Sequence, residues 1–137
     1  MERELTLAAR RGVDVRIITP GIPDKKLVFK VTRSYYARLA AYGVRIFEYT
    51  PGFMHAKQFV CDDEVAAVGT INLDFRSLYL HFENGCWFYG CKAVQDVKAD
   101  FDSTFPICTE VTEKYSVKRN LALRGWQLLL RLFSPLM

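Results

Sequence analysis

Two glycines do most to restrict what this chain can fold into. Gly12 and Gly43 each close a stretch whose apolar residues recur at helical spacing, and each is followed at once by a short apolar run. Glycine is favoured just past a helix because the backbone there turns left-handed. Glu2 to Arg11 reads as a first helix, and Val13 to Thr19 as a strand that becomes wholly apolar, like one covered on both faces. Pro20, Gly21 and Pro23 break it. Val28, Val31, Tyr35, Leu39 and Tyr42 mark a second helix over Lys25 to Tyr42, and Val44 to Tyr49 a second strand. Helices that alternate with strands imply an α/β layer fold. The first helix has no strand ahead of it, so the expectation is a fold truncated on its N-terminal side.

A length of 137 residues, half of them hydrophobic, allows one domain with a modest core and is too short for two. The expected division is a core over residues 1–110 and a tail over residues 111–137. No apolar run approaches the roughly 18–20 residues that cross a bilayer, and the charged N-terminus MERELTLAARR does not read as a signal peptide. Cys61, Cys86, Cys91 and Cys108 form no C-x2-C pair, so they read as reduced thiols and not as metal ligands. Net charge is +4, but residues 1–110 carry 14 basic and 14 acidic side chains, which cancel. The excess lies in the tail, which excludes a general nucleic-acid-binding surface over the core.

The chemistry concentrates between Phe53 and Asn72, in FMHAKQFVCDDEVAAVGTIN. Apolar residues on either side of Asp62-Asp63-Glu64 suggest two short strands joined by a turn there. Alternate side chains of a strand share a face, so His55 and Lys57 should project together. One can transfer a proton or attack, and the other is a fixed positive charge, a pairing that suits an anionic, phosphate-bearing substrate. Beyond Asn72, Leu73 to Ser77 reads as a polar loop. Leu78 to Tyr89 reads as a continuous strand with a bulge at Gly85, or alternatively as a hairpin turning at Asn84-Gly85. Lys92 to Phe105 is helical in pattern and is stopped by Pro106. Tyr115 to Phe133 reads as a last, amphipathic helix. Its narrow polar stripe of Asn120, Arg124, Gln127 and Arg131 is flanked by leucines and Trp126.

The spacing H-x-K-x4-D-x6-G-T-x-N resembles the signature of the phospholipase D superfamily. With GVDVRIITP before it and RLFSPLM at the end, nearly the whole chain is similar to the second catalytic half of bacterial cardiolipin synthases. The resemblance implies an α/β/α sandwich with a mixed sheet, plus the C-terminal amphipathic helix. It also implies a metal-free and cofactor-free transfer through a covalent phosphohistidine, in which one phosphatidylglycerol gives its phosphatidyl group to another and glycerol leaves. His55 then takes the catalytic position, and Lys57, Thr70 and Asn72 the phosphate-binding positions. Asp62 belongs to the motif, although an aspartate in a turn commonly bonds neighbouring amides. Glu83 takes the place of a glutamate that orients the catalytic histidine. His81 departs from the family's usual asparagine, and Gly69-Thr70 stands for its glycine-serine.

The partners implied are anionic phospholipid, the missing N-terminal half or a second copy, and a membrane surface at the cytoplasmic face, without nucleic acid. The tail helix can dock on protein or lie in the bilayer interface. Two rival readings are a homodimeric phosphodiesterase or nuclease, and a membrane-docking module with a vestigial site.

Overall fold

The structure is a computed structural model and describes residues 1–23 and 25–116. In chain order its elements are α1 (Glu2–Arg10), β1 (Arg16–Pro20), α2 (Lys26–Ala41), β2 (Arg45–Tyr49), β3 (Gln58–Cys61) and β4 (Val65–Gly69). There follow α3 (Phe75–Tyr79), β5 (Gly85–Tyr89), α4 (Lys92–Thr104), a single 3-10 turn (Phe105–Ile107), β6 (Cys108–Glu110) and α5 (Thr112–Ser116). They form two compact units, one of Met1–Met54 with the chain from Cys108 onward, the other of His55–Ile107. No helix among the described residues is long and apolar enough to cross a membrane. The tail helix expected over Tyr115 to Phe133 lies outside the described residues from residue 117 onward.

In the first unit β2 is central, parallel to β1 and antiparallel to β6. Gly12 and Gly43 have φ of +92° and +91°, as the sequence predicts for the residues that end α1 and α2. β1 starts at Arg16 and not at Val13, because the Gly12 and Val13 amides donate to Ala9 and Ala8 and still belong to the cap of α1. β6 was not expected. Its three residues are too few for alternation to show in sequence, and it is held by pairing Phe47 with Glu110 and Tyr49 with Cys108.

The core of this unit forms where α2 and α5 meet β2. Val44 and Ile46 are fully buried and pack with Tyr36, Leu39, Ala40, Val111 and Tyr115, each large apolar side chain contributing about 1.5–3 kcal/mol. Glu48 is buried among them and receives a two-pronged hydrogen bond from Arg33, at 2.9 and 2.7 Å, while that guanidinium stacks 4.1 Å over Phe29.

Tyr36 meets Tyr115 edge to face at 4.9 Å, and its hydroxyl shares a 2.6 Å hydrogen bond with Thr19. Burial pushes its phenol from the ordinary 10 up to about 12. The fold therefore favours the neutral ring. The stability this represents is complete below pH 10 and is lost as pH rises towards about 12. Urea midpoints should fall across that window, and Tyr36→Phe should flatten the fall.

The second unit is a three-stranded antiparallel sheet in the order β3-β4-β5, with Cys61 opposite Val65 and Gly69 opposite Gly85. The β3–β4 turn falls where the sequence places it. Asp62 and Asp63 have φ of 52° and 58°, and the Glu64 amide closes the turn on Cys61 at 3.1 Å. Left-handed backbone is unfavourable for most side chains but is visited by aspartate. α4 clamps this turn, where Gln95 donates to the Asp63 carbonyl at 2.9 Å and Lys98 pairs with the Asp63 carboxylate, and it holds the other end of β3 through a bond from Gln58 to Asp100. Ala66 and Val94 are buried in this unit.

Two expectations are corrected here. The polar loop over Leu73 to Ser77 contains the start of α3, whose N-cap Asp74 accepts the Ser77 amide at 2.7 Å. The strand expected from Leu78 is confined to Gly85–Tyr89. Its first residues belong to α3, and the Leu80 and His81 amides both turn back to the Arg76 carbonyl.

Candidate active site

The motif residues gather around the open end of the β3–β4 hairpin. The Gly69 amide donates to the Lys57 carbonyl at 3.1 Å, which carries the ladder one pair beyond β3. His55 and Lys57 thus lie just ahead of the strand and not within it. The Lys57 ammonium folds back onto the His55 carbonyl at 2.6 Å. Burial pulls the Lys57 pKa down, and the fields of Glu83 and Asp74 oppose that pull. The side-chain environment of Lys57 is therefore partly desolvated and bounded by two carboxylates. His55 itself is exposed.

On the facing strand, Gly69 is required by close approach. A Cβ there would lie 2.2 Å from the Asn84 carbonyl oxygen and 2.6 Å from Gly85 Cα. This contact sets Thr70 against Asn84: the Thr70 amide donates to the Asn84 carbonyl at 2.8 Å, and the Asn84 amide donates to the Thr70 hydroxyl at 3.0 Å. The hydroxyl donates in turn to Glu83 Oε2. Glu83 has only 14% of its side chain exposed, and His81 Nδ1 lies 3.8 Å from its other oxygen. The Thr70 hydroxyl, then that of Ser77, hold the carboxyl below its ordinary range, assisted by His81 and Lys57. Glu83 is accordingly a carboxylate at neutral pH. Asn72 Nδ2 donates to Ser77 Oγ at 3.3 Å.

The structure therefore brings Lys57, Thr70, Asn72 and Glu83 into one network, with the His55 backbone at its edge. Ser77 is the link that sequence reasoning missed. It is buried and joins Asn72 to Glu83. The spacing Asp74-x-x-Ser77, an N-cap pattern, was the available signal. Asp62 lies at the opposite end of β3, about 16 Å along the strand from Lys57, and its carboxylate accepts from the Cys61 thiol at 3.2 Å. The structure does not bring Asp62 to the others. Its place is the turn.

Gly69→Ala should break this network without touching a polar group. The new methyl cannot fit against the Asn84 backbone, so β5 must shift and the Thr70–Asn84 pair must open. Overpacking of this kind costs about 1–3 kcal/mol. Urea denaturation should show that loss, and phosphate binding followed by NMR should weaken with it.

A mixed α/β fold with this histidine–lysine hairpin defines a phospholipase D-like protein. The solved phospholipase D family member Nuc of Salmonella typhimurium superposes with a TM-score of 0.70 at 16% identity, over 80% of this chain and 71% of its own. The family model described as cardiolipin synthase, PLD-like domain, matches residues 1–105, and the chain belongs to that family. A cardiolipin synthase of a Geobacillus strain is 39% identical over 97% of the chain, and one of Clostridium perfringens 39% identical over all of it. An uncharacterized protein of Streptococcus mutans is 47% identical over the whole chain. The chain spans only 30%, 26% and 29% of the Streptococcus, Geobacillus and Clostridium proteins respectively.

Proposed function

We infer that the chain supplies one of two catalytic motifs to an enzyme that transfers a phosphatidyl group between two phosphatidylglycerol molecules, giving cardiolipin and glycerol. The observation that carries this reading is the hydrogen-bonded cluster of Thr70, Asn72, Ser77 and Glu83 beside the family's histidine–lysine motif. Lys57, Thr70 and Asn72 hold the phosphoryl oxygens, where positive charge and donors count most as charge develops. A histidine from the other half attacks phosphorus. As the bond to glycerol breaks, His55 gives its proton to the departing oxygen. The acceptor's hydroxyl then returns a proton to His55 and attacks phosphorus, and the first histidine leaves. The resemblance gives Glu83 the task of orienting His55, which needs a charged carboxylate. Hydrogen bonds from the Thr70 and Ser77 hydroxyls favour the charged form. The work is done at the cytoplasmic face of the cell membrane, with the N-terminal half or a second copy as partner.

The test is mass spectrometry of phosphatidylglycerol vesicles. The chain alone should form no cardiolipin, because it holds one motif histidine and the mechanism uses two. Adding the N-terminal half should start synthesis. No cardiolipin from the completed pair would overturn the reading. Synthesis by the chain alone, lost in His55→Ala, would instead show two copies completing one site.

A further inference from the structure

The first unit carries a feature that neither its packing nor the site uses. α2 has 16 residues and is therefore about 24 Å long. The strands beside it, β1 and β2, have five residues each and reach about 17 Å. The C-terminal end of α2 is flush with the sheet, because the Val44 amide bonds Leu39 at 3.1 Å and β2 starts at Arg45. Tyr36 bonds Thr19 and Arg33 bonds Glu48, each the fourth residue of its strand, so the part of α2 before Arg33 extends past the carboxyl ends of β1 and β2.

That overhang has an unusual surface. Leu27 and Val28 are 53% and 44% exposed, and Ile22 just before them 43%. Lys25, Lys26 and Lys30 are all exposed, and none forms an ion pair among the described residues. The sequence from Ile22 to Lys30 sets these three lysines against Asp24 alone. No acidic residue occupies the first turn of α2 and no side chain caps it. Cations at a helix N-terminus oppose the helix dipole, and bare leucine and valine gain nothing in water. Stability of the domain does not explain this combination.

We propose that the overhanging start of α2, Ile22 with Lys25 to Lys30, is a docking surface for a bilayer that contains anionic phospholipid. Lysines with aliphatic side chains between them are the pattern that binds such an interface, the ammonium groups meeting headgroup phosphates and the apolar groups entering the acyl boundary. The inference rests on the proposed function only for the choice of lipid, since both call for an anionic phospholipid. It also assigns to α2 a contact that the sequence alone suggested for the tail.

Sedimentation of the 137-residue chain with vesicles tests it. The chain should bind phosphatidylcholine vesicles that contain phosphatidylglycerol and bind pure phosphatidylcholine weakly. Combining Lys25→Glu, Lys26→Glu and Lys30→Glu should lower the partition coefficient about a hundredfold or more. The same variant should melt no lower than the parent, because glutamate suits a helix N-terminus. Leu27→Asp with Val28→Asp should also release the chain. Lys92→Ala, at a lysine of the second unit that pairs with Asp96 away from the site, should bind vesicles as the parent does, and because sedimentation reads binding without turnover, a failure of the active-site reading leaves this result standing. Parent-like sedimentation of the triple variant, or no preference of the parent for phosphatidylglycerol, would overturn the proposal.

Discussion

In the enzyme completed by its other half, His55→Ala should cut transfer from phosphatidylglycerol by about 10²- to 10⁴-fold, the usual contribution of a positioned acid–base group. Glycerol is a poor leaving group and needs its proton. A nitrophenolate does not. With a nitrophenyl phosphodiester the same variant should therefore release a stoichiometric burst and retain a phosphoryl adduct on the histidine of the other half. Glu83→Gln should weaken both reactions less, because it removes the charge beside the site and leaves the imidazole in place. Mass spectrometry of the trapped adduct decides the assignment. Phosphate found on His55 itself would make it the nucleophile and leave the overall route intact.

The largest effect on stability is expected at a distance from this chemistry, in Arg33→Ala. The Glu48 side chain is only 9% exposed, and both its oxygens are bonded by one guanidinium. Without Arg33 the carboxylate is left in the core with no countercharge, which costs about 3–5 kcal/mol. Against a typical total of about 5–15 kcal/mol, this brings the domain close to unfolding. The guanidinium also covers the Phe29 ring, so packing is lost with charge. Urea titration should show the loss. Replacing both residues by methionine should recover most of it, since an apolar pair of similar volume is often as stable as a buried ion pair. No recovery in the double variant would show that Arg33 acts through other contacts.

What could be read from sequence followed the strength of local signals. α1, α2, β2 and the β3–β4 hairpin each have a clear period and a marked end in Gly12, Gly43 or the Asp62–Asp63 turn, and they appear within a few residues of where those signals put them. β6 and α3 are set by partners. Three residues of β6 exist as a strand because β2 offers a free edge, and α3 starts where the Asp74 carboxylate finds the Ser77 amide. The site divides in the same way. Lys57, Thr70 and Asn72 are named by the family resemblance of the motif, and the structure places them around the open end of the hairpin. Ser77 is not named, because its Asp74-x-x-Ser77 spacing signals a helix start and says nothing of the contacts that its hydroxyl makes. The separation of Asp62 from the rest becomes visible only once β3 has a length.

The unit that carries the motif is one uninterrupted segment, His55–Ile107, whereas its neighbour is completed by a return of the chain at Cys108 to pair with β2. These two connectivities give the units different routes to order. Closing a short contiguous hairpin sheet involves little loop entropy, and pairing residues 47 and 110 involves far more. In chain order, the cluster around Glu83 is complete before β2 receives its last strand. In hydrogen exchange, the amides of β6 should accordingly open as a group of their own, separately from those of β4.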